Sequence, residues 1–315
     1  MTMLSHLYHL HALSALHAGA GQSTGVIDLP IARERASALP YVPGSGLKGV
    51  LREHQREHPD QRADLWKAAY GPEHDSSAGF QGALAIGDAL LLCLPVRSLA
   101  GGFAWATCPL QLLRYQRDAQ ALELEPKPPA IVPTVADNKV LLGSANSSLT
   151  FANGQSEQVA LEEFLITPDA DQKNVSLSQQ WAVFIANLVF RDSKWQVDSA
   201  WQTLFTQRFA ILSDADFDFL AETATEVRAR IRIENGTAAN KALWYEENLP
   251  AETILWGVLA AHASRDGKVL PPDTMLQQVP GPDARIQLGG KATVGRGLAR
   301  FVWPKPAANT GGGKK

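Results

Sequence analysis

Cysteine is scarce in this chain, with only Cys93 and Cys108 among 315 residues. Those two make no metal-ligand spacing and read as buried free thiols. No apolar run reaches the length that crosses a bilayer, so no membrane partner is expected. The first residues lack the basic start, apolar block and cleavage site of a secretory leader, which points to the cytoplasm. Charge of one sign is also missing: a net charge of −3 argues against a protein that coats nucleic acid non-specifically.

Several catalytic signatures are absent too. Neither glycine-rich stretch fits G-x-x-x-x-G-K-S/T, which argues against a nucleoside triphosphatase. Gly44-Ser-Gly-Leu-Lys-Gly49 satisfies G-x-G-x-x-G literally, but Pro43 precedes it and no βαβ unit surrounds it, so a dinucleotide site is not expected. Ser45 lacks the G-x-S-x-G frame of a hydrolase nucleophile. No K/R-G-F/Y-G-F-V-x-F strand occurs, so bases are not expected to be read by stacking on a sheet. One local imbalance stands out. From Arg285 to Lys315 there are seven Lys or Arg and no Asp or Glu, which allows a basic groove on a nearly neutral body.

With 45% hydrophobic residues the chain can build a substantial core, as two domains or one elaborated domain. Leu4, Leu7, Leu10, Leu13 and Leu16 recur every third position, a spacing that fits neither a strand nor a clean amphipathic helix. If the segment is a strand, His9 and His11 share a face, as a metal pair or as two packed side chains. A helical patch around Leu65 to Tyr70 ends at Gly71-Pro72, and Ala83 to Val96 reads as a buried strand. Arg97 to Thr107 reads as a glycine-interrupted loop. The prolines between Leu122 and about Gly154 mark an insertion outside the core. Gln158 to Ile166 predicts a strand, Leu177 to Phe190 a helix, and Ser213 an N-cap for the acidic stretch that follows. Thr225 to Ile233 puts Val227, Ala229, Ile231 and Ile233 on one side and Arg228, Arg230 and Arg232 on the other. With a turn at Glu234-Asn-Gly-Thr and a return strand at Leu243 to Tyr245, it predicts a projecting hairpin with an arginine face. Leu255 to Ala263 is a strand or short helix.

The densest run of function-like features is His17-Ala-Gly-Ala-Gly-Gln-Ser-Thr-Gly-Val-Ile-Asp28-Leu-Pro-Ile-Ala-Arg33-Glu-Arg35, followed by Pro40-Tyr-Val-Pro-Gly-Ser-Gly-Leu-Lys48-Gly-Val-Leu-Arg52. Gly19, Gly21 and Gly25 let the backbone approach a ligand closely, and Pro30 keeps a helix from running through Asp28. One carboxylate is thereby held on a loop. The Gly44 segment opens a helix whose free N–H groups suit an anion, and Lys48 and Arg52, four apart, share a face that suits a phosphate backbone. Near the far end, Gln287-Leu-Gly289-Gly290-Lys291-Ala-Thr-Val-Gly-Arg296-Gly297 sets two cations among glycines. It is either an RNA-contacting loop or a flexible surface turn.

Taken with Asp88-Ala-Leu-Leu-Leu-Cys-Leu-Pro-Val-Arg97 and Ala242-Leu-Trp-Tyr-Glu246-Glu-Asn-Leu-Pro250, these stretches resemble the RAMP backbone subunit of type III-B CRISPR (Cmr) effector complexes. The motifs stand in the expected order from residue 17 to residue 297. The resemblance implies an α+β fold, with a ferredoxin-like βαββαβ core similar to an RNA recognition motif. That core would carry large insertions, about 122–155 among them, and a thumb-like hairpin at about 225–247. It implies one elaborated domain over 1–305, with 306–315 a flexible tail, and it settles the N-terminal segment as the first strand. Its partners would be a guide (CRISPR) RNA, a complementary single-stranded target RNA, further copies of the chain in a helical filament and other subunits of the complex, with base pairing doing the reading.

By the same resemblance Asp28 is the catalytic residue of a metal-dependent endoribonuclease. It would hold Mg²⁺ or another divalent cation, or act on the 2′-hydroxyl directly. His17, Arg33 and Glu246 are candidate helpers. Arg33, Lys48, Arg52, Gly289, Gly290, Lys291 and Arg296 are the expected RNA contacts. Gly46 departs from the serine expected there, which removes a hydroxyl donor. Two rival readings are a non-catalytic RNA scaffold and a metal-independent guide-processing endonuclease of the same superfamily.

Overall fold

A computed structural model of the chain describes residues 3–23, 25–57, 63–72, 79–191, 196–234, 237–280 and 284–303. The first strand, Leu4–Ala12, explains the period-three leucines. Side chains alternate along a strand, and here both faces are covered. Leu7 enters one apolar cluster with Trp105, Trp181 and Trp256, while Tyr8, Leu10 and Ala12 enter a second with Leu47, Trp66 and Phe301. A strand buried on both faces shows no clean alternation of apolar and polar residues.

That strand lies in a thirteen-stranded sheet. Leu298–Val302 pairs with one of its edges and Ile254–Ala261 with the other, and Ala89–Ser98 pairs with Ile254–Ala261, every neighbour antiparallel. Beyond Ala89–Ser98 the sheet continues through Gly102–Thr107, Phe209–Ile211, Lys139–Leu142, Phe164–Pro168 and Ser156–Leu161. It then meets itself again where Leu161 pairs with Ser98, so this half is barrel-like. Helices Gly44–Glu57, Ala63–Tyr70, Asp214–Thr223 and Pro272–Leu276 contribute to one core cluster. Helices Pro109–Ala121, Gln172–Val189 and Ser199–Arg208 contribute to the other. The molecule is therefore an α+β protein with a sheet-rich core.

Some segments differ from expectation. Arg97 to Thr107 is a tight antiparallel pair instead of a loop, because Gly101 and Gly102, at φ +72° and +85°, turn the chain between Ser98 and Phe103. The proline-rich stretch does not lie wholly outside the core: its Lys139–Leu142 strand sits in the sheet with Val140 and Leu141 fully buried. Helix Ser199–Arg208 had no clear sequence signal, since its apolar residues do not form a stripe, yet Asp198 caps it by accepting from the Ala200 and Trp201 N–H groups. Ser213 caps the acidic helix as expected, accepting from the Asp216 N–H at 3.1 Å. His9 and His11 do share a face, and each ring meets a different protein partner: Tyr115 Oη at 2.9 Å for His9 and Glu252 Oε2 at 2.7 Å for His11.

The hairpin forms a sheet of its own, Glu226–Glu234 against Thr237–Asn248. Arg228 reaches Glu226 and Arg230 reaches Glu246 on one face. On the other, Val227, Ile231, Leu243 and Tyr245 are exposed. The turn at Asn235 and Gly236 lies outside the described residues, as does the 306–315 tail.

Candidate active site

Strand order decides which loops can meet. His11 pairs with Ile254 on one side and with Arg300 on the other. The chain leaving the first strand, the chain entering Ile254–Ala261 from the hairpin, and the chain entering Leu298–Val302 therefore converge at one end of three adjacent strands. These carry Asp28, Glu246 and Lys291 respectively.

Asp28 is fastened to the base of the hairpin. Its Oδ2 accepts from the Tyr245 N–H at 2.8 Å, and its carbonyl accepts from the Ser23 N–H at 2.9 Å. On the next residue, Leu29 N–H donates to the Tyr245 carbonyl and Leu29 O accepts from the Glu247 N–H, at 3.1 and 3.0 Å. The side chain is partly exposed, and it faces an open cleft of about 430 Å³ lined also by Ser23, Leu29, Leu243, Trp244 and Lys291. Asp28 Oδ1 takes no hydrogen bond from the described residues.

Lys291 joins the third loop to the same place. Its Nζ lies 2.8 Å from Glu246 Oε1 and 5.9 Å from the centre of the Trp244 ring. Glu246 is a buried carboxylate, 1% exposed, and not a solvated one. Burial alone would raise its pKa; the hydrogen bonds from Lys291, Trp244 and Arg230 outweigh that and hold it below the ordinary glutamate value. With those donors in place Glu246 anchors the cleft wall.

His17 is likewise buried. Its Nδ1–H donates to the Glu247 carbonyl at 2.7 Å, because a carbonyl can only accept. In the neutral ring this leaves Nε2 as the acceptor. Glycines lie against this residue: a methyl on Gly19 would come 2.8 Å from the ring Nε2, and one on Gly289 would come 2.3 Å from the His17 main-chain carbonyl oxygen. Gly290 N–H donates to that same carbonyl at 3.3 Å. Gly289 and Gly290 thus seat the turn on His17, a use of glycine that spacing alone does not distinguish from phosphate binding.

The other expected RNA contacts face the protein. Arg33 donates to Ala38 O, Ala221 O and Glu247 Oε1, the last at 2.6 Å. Lys48 Nζ donates to Leu84 O at 2.7 Å, and burial lowers its pKa. Arg52 donates to Pro72 O and lies over the Trp66 ring. Arg296 is 4% exposed, and its Nη1 lies 3.6 Å from Glu226 Oε2. The amino end of helix Gly44–Glu57 also has an anion already: Gly44 N–H donates to Asp88 Oδ1 at 2.7 Å. The shared face of Lys48 and Arg52 is real, but it points to the body of the protein. The spacing does not say which way a helix face turns.

Three residues that the motifs did not single out complete the site. The Tyr245 main chain holds Asp28, Trp244 lines the cleft, and Glu247 ties the surrounding segments together. The signal available for them was only the unusual density of Trp244-Tyr-Glu-Glu247.

An α+β sheet with an attached hairpin, two glycine-rich loops and one open carboxylate in a cleft beside a lysine defines a protein built around a single edge of converging loops. The chain belongs to the RAMP superfamily, whose profile matches residues 9–300. It is 32% identical over 313 residues to the CRISPR system Cmr endoribonuclease Cmr4 of Pyrococcus furiosus, covering 98% of this chain and 99% of that protein. It is 24% identical over 311 residues to the CRISPR system CMR subunit Cmr4 of Saccharolobus solfataricus, covering 94% and 95%. Among solved structures, oligomeric Cmr4 from Pyrococcus furiosus superposes with a TM-score of 0.70 at 26% identity, over 97% of this chain and 100% of that one. A chain of the type III-B Cmr-beta complex bound to cognate target RNA shares the fold, with a TM-score of 0.66 at 20% identity over 95% and 97%.

Proposed function

We propose that this chain is the guide-RNA-binding backbone subunit of a type III-B CRISPR effector complex, and that its Asp28 edge cuts the complementary target RNA. Supporting the first part is the full-length likeness to a Cmr endoribonuclease and to an oligomeric relative. Copies of the chain would stack along the guide together with other subunits, in the cytoplasm. The order Leu298–Val302, Leu4–Ala12, Ile254–Ala261, Ala89–Ser98, with helices following the first and third strands in sequence, supports reading the centre as a ferredoxin-like βαββαβ unit. The hairpin, with arginines on one face and exposed Val227, Ile231 and Leu243 on the other, suits a wedge that parts paired bases.

The cutting role rests on one observation: Asp28 lines a cleft that also holds Lys291, and among the described residues only its Oδ2 takes a hydrogen bond. Cleavage needs a proton taken from a 2′-hydroxyl or a water, and it needs the phosphate charge neutralised. Asp28 Oδ1 is positioned to take the proton or to hold a cation, and Lys291 to face the phosphate. His17 braces the loop from beneath. Mg²⁺ fits only as an ion whose other ligands are RNA and water oxygens. Glu246 is already held by three donors, and among the described residues no three His, Cys, Asp or Glu side chains converge. When bound, such an ion would add charge at the phosphate. Of the expected contacts, Lys291 lines the cleft, and the Gly289–Gly290 turn that precedes it is seated on His17. Arg33, Lys48, Arg52 and Arg296 are turned to protein partners and would meet RNA only through their remaining N–H groups.

The test is Asp28→Ala in the assembled complex. Target binding should persist while cleavage falls by about a hundredfold or more, and EDTA should reduce cleavage by the unmutated complex similarly. Cleavage that survives the substitution sinks the role of Asp28; cleavage that survives chelation sinks the metal. A complex that never cuts with any divalent ion would be the RNA scaffold instead.

A further inference from the structure

Glu246 and Glu247 are consecutive on one strand and so point to opposite faces. Glu246 reaches Lys291 and Trp244 on the cleft side. Glu247 turns the other way and is 3% exposed. Its Oε2 accepts from the Ile31 N–H at 3.0 Å, and its Oε1 accepts from Arg33 Nη2 at 2.6 Å and from Thr225 Oγ1 at 2.9 Å. Its main chain adds the Leu29 and His17 bonds, at 3.0 and 2.7 Å. One buried residue therefore touches the segment after Asp28 at Leu29, Ile31 and Arg33, the ring of His17 before it, and Thr225 at the start of the hairpin.

Among the described residues between Leu16 and Pro40 the Asp28 loop makes isolated bridges, Gly19 with Ile31, Leu29 with Glu246 and Arg33 with Pro40 among them, and main-chain bonds such as those from Ala20 to Pro30 and from Ala32 to Ala18. Tyr245 holds Asp28 and Leu29 from the hairpin through its main chain, Glu247 holds Ile31 and Arg33 through its side chain, and the glycines of the loop would otherwise permit many paths. A buried carboxylate adds little net stability compared with an apolar residue of the same size, and fixing one arrangement is its best-attested use. We propose that Glu247 is the positioning residue of the cutting edge: its side chain locks the Asp28 loop to the hairpin base and so keeps the open oxygen of Asp28 in the cleft. This rests on the role proposed for Asp28, and Glu247 itself does not touch RNA.

Glu247→Ala removes all three side-chain bonds, whereas Glu247→Gln keeps the shape and one acceptor oxygen. Both are to be made in the full chain, assembled with guide RNA, and assayed for target affinity, single-turnover cleavage, subunit stoichiometry and thermal midpoint. Affinity and stoichiometry should stay close to those of the unmutated complex in both variants, while the thermal midpoint should change little in the glutamine variant and fall in the alanine variant, which leaves Arg33 without its buried partner. Cleavage should fall about tenfold in the glutamine variant and about a hundredfold in the alanine variant, since misplacing a reactive group by an ångström costs on that order. Combined with Asp28→Ala, the alanine change should cause no further loss, because it acts only through that carboxylate. The proposal is overturned by full cleavage in either single variant, by additivity in the double variant, or by failure of both to assemble. Full cleavage by Asp28→Ala alone would instead remove the reading of Asp28 on which it stands.

Discussion

A methyl group at Gly289 would meet the His17 carbonyl oxygen at 2.3 Å, and the residue sits at φ +76°. Gly289→Ala should therefore shift the turn that carries Lys291 and lower cleavage more than tenfold, because both clash and backbone conformation oppose the side chain. Single-turnover assays with a check of assembly decide this. His9 tests the interior. Burial lowers its pKa from 6.5 to about 4, so the folded ring stays neutral where the unfolded one takes a proton. Stability present above pH 6.5 should decline as the pH falls toward 4. At pH 5 the loss from this group is about 2 kcal/mol. Denaturant midpoints at pH 7 and pH 5 should show a smaller difference in His9→Gln, which keeps a partner for Tyr115 without a titrating ring.

Among the elements, those with strong local signals were legible in the sequence. The hairpin followed from alternating Val227, Ala229 and Ile231 with arginines between them, and the acidic helix from its Ser213 cap. The Lys139–Leu142 strand was hidden because its partners, Phe209–Ile211 and Phe164–Pro168, are far away in sequence. That Asp28 sits on a loop was legible from Pro30 and the glycines before it, whereas its proposed catalytic role came from the resemblance alone. The place of Glu247 was not legible, since nothing in Tyr-Glu-Glu-Asn says which glutamate meets Lys291 and which meets the Asp28 loop. The basic helix illustrates the same gap: its amino end offers an anion site, and Asp88 fills it. Asp88→Ala should cost about 1 kcal/mol of stability and leave RNA affinity unchanged. Weaker RNA binding without loss of stability would contradict that assignment.

For the whole molecule, affinity should come from a few cations repeated over many copies, because the net charge is −3. Every phosphate deprived of its cation should reduce the slope of log affinity against log salt by about one. Lys291→Ala should do so once per copy, and Lys48→Ala, whose ammonium is bound to Leu84 O, should not. Equal slopes for the two variants would refute this division.

The pairing of the first strand with Leu298–Val302 also sets when the edge can exist during synthesis. Asp28 is made early, but the lysine and the glycine turn beneath which His17 sits come from a segment translated some 260 residues later. A growing chain on the ribosome can fold much of its interior while its cutting edge is still open on one side. On the role proposed for Asp28 and Lys291, competence to cut would arrive only once residue 291 has been made and Leu298–Val302 has paired with the first strand.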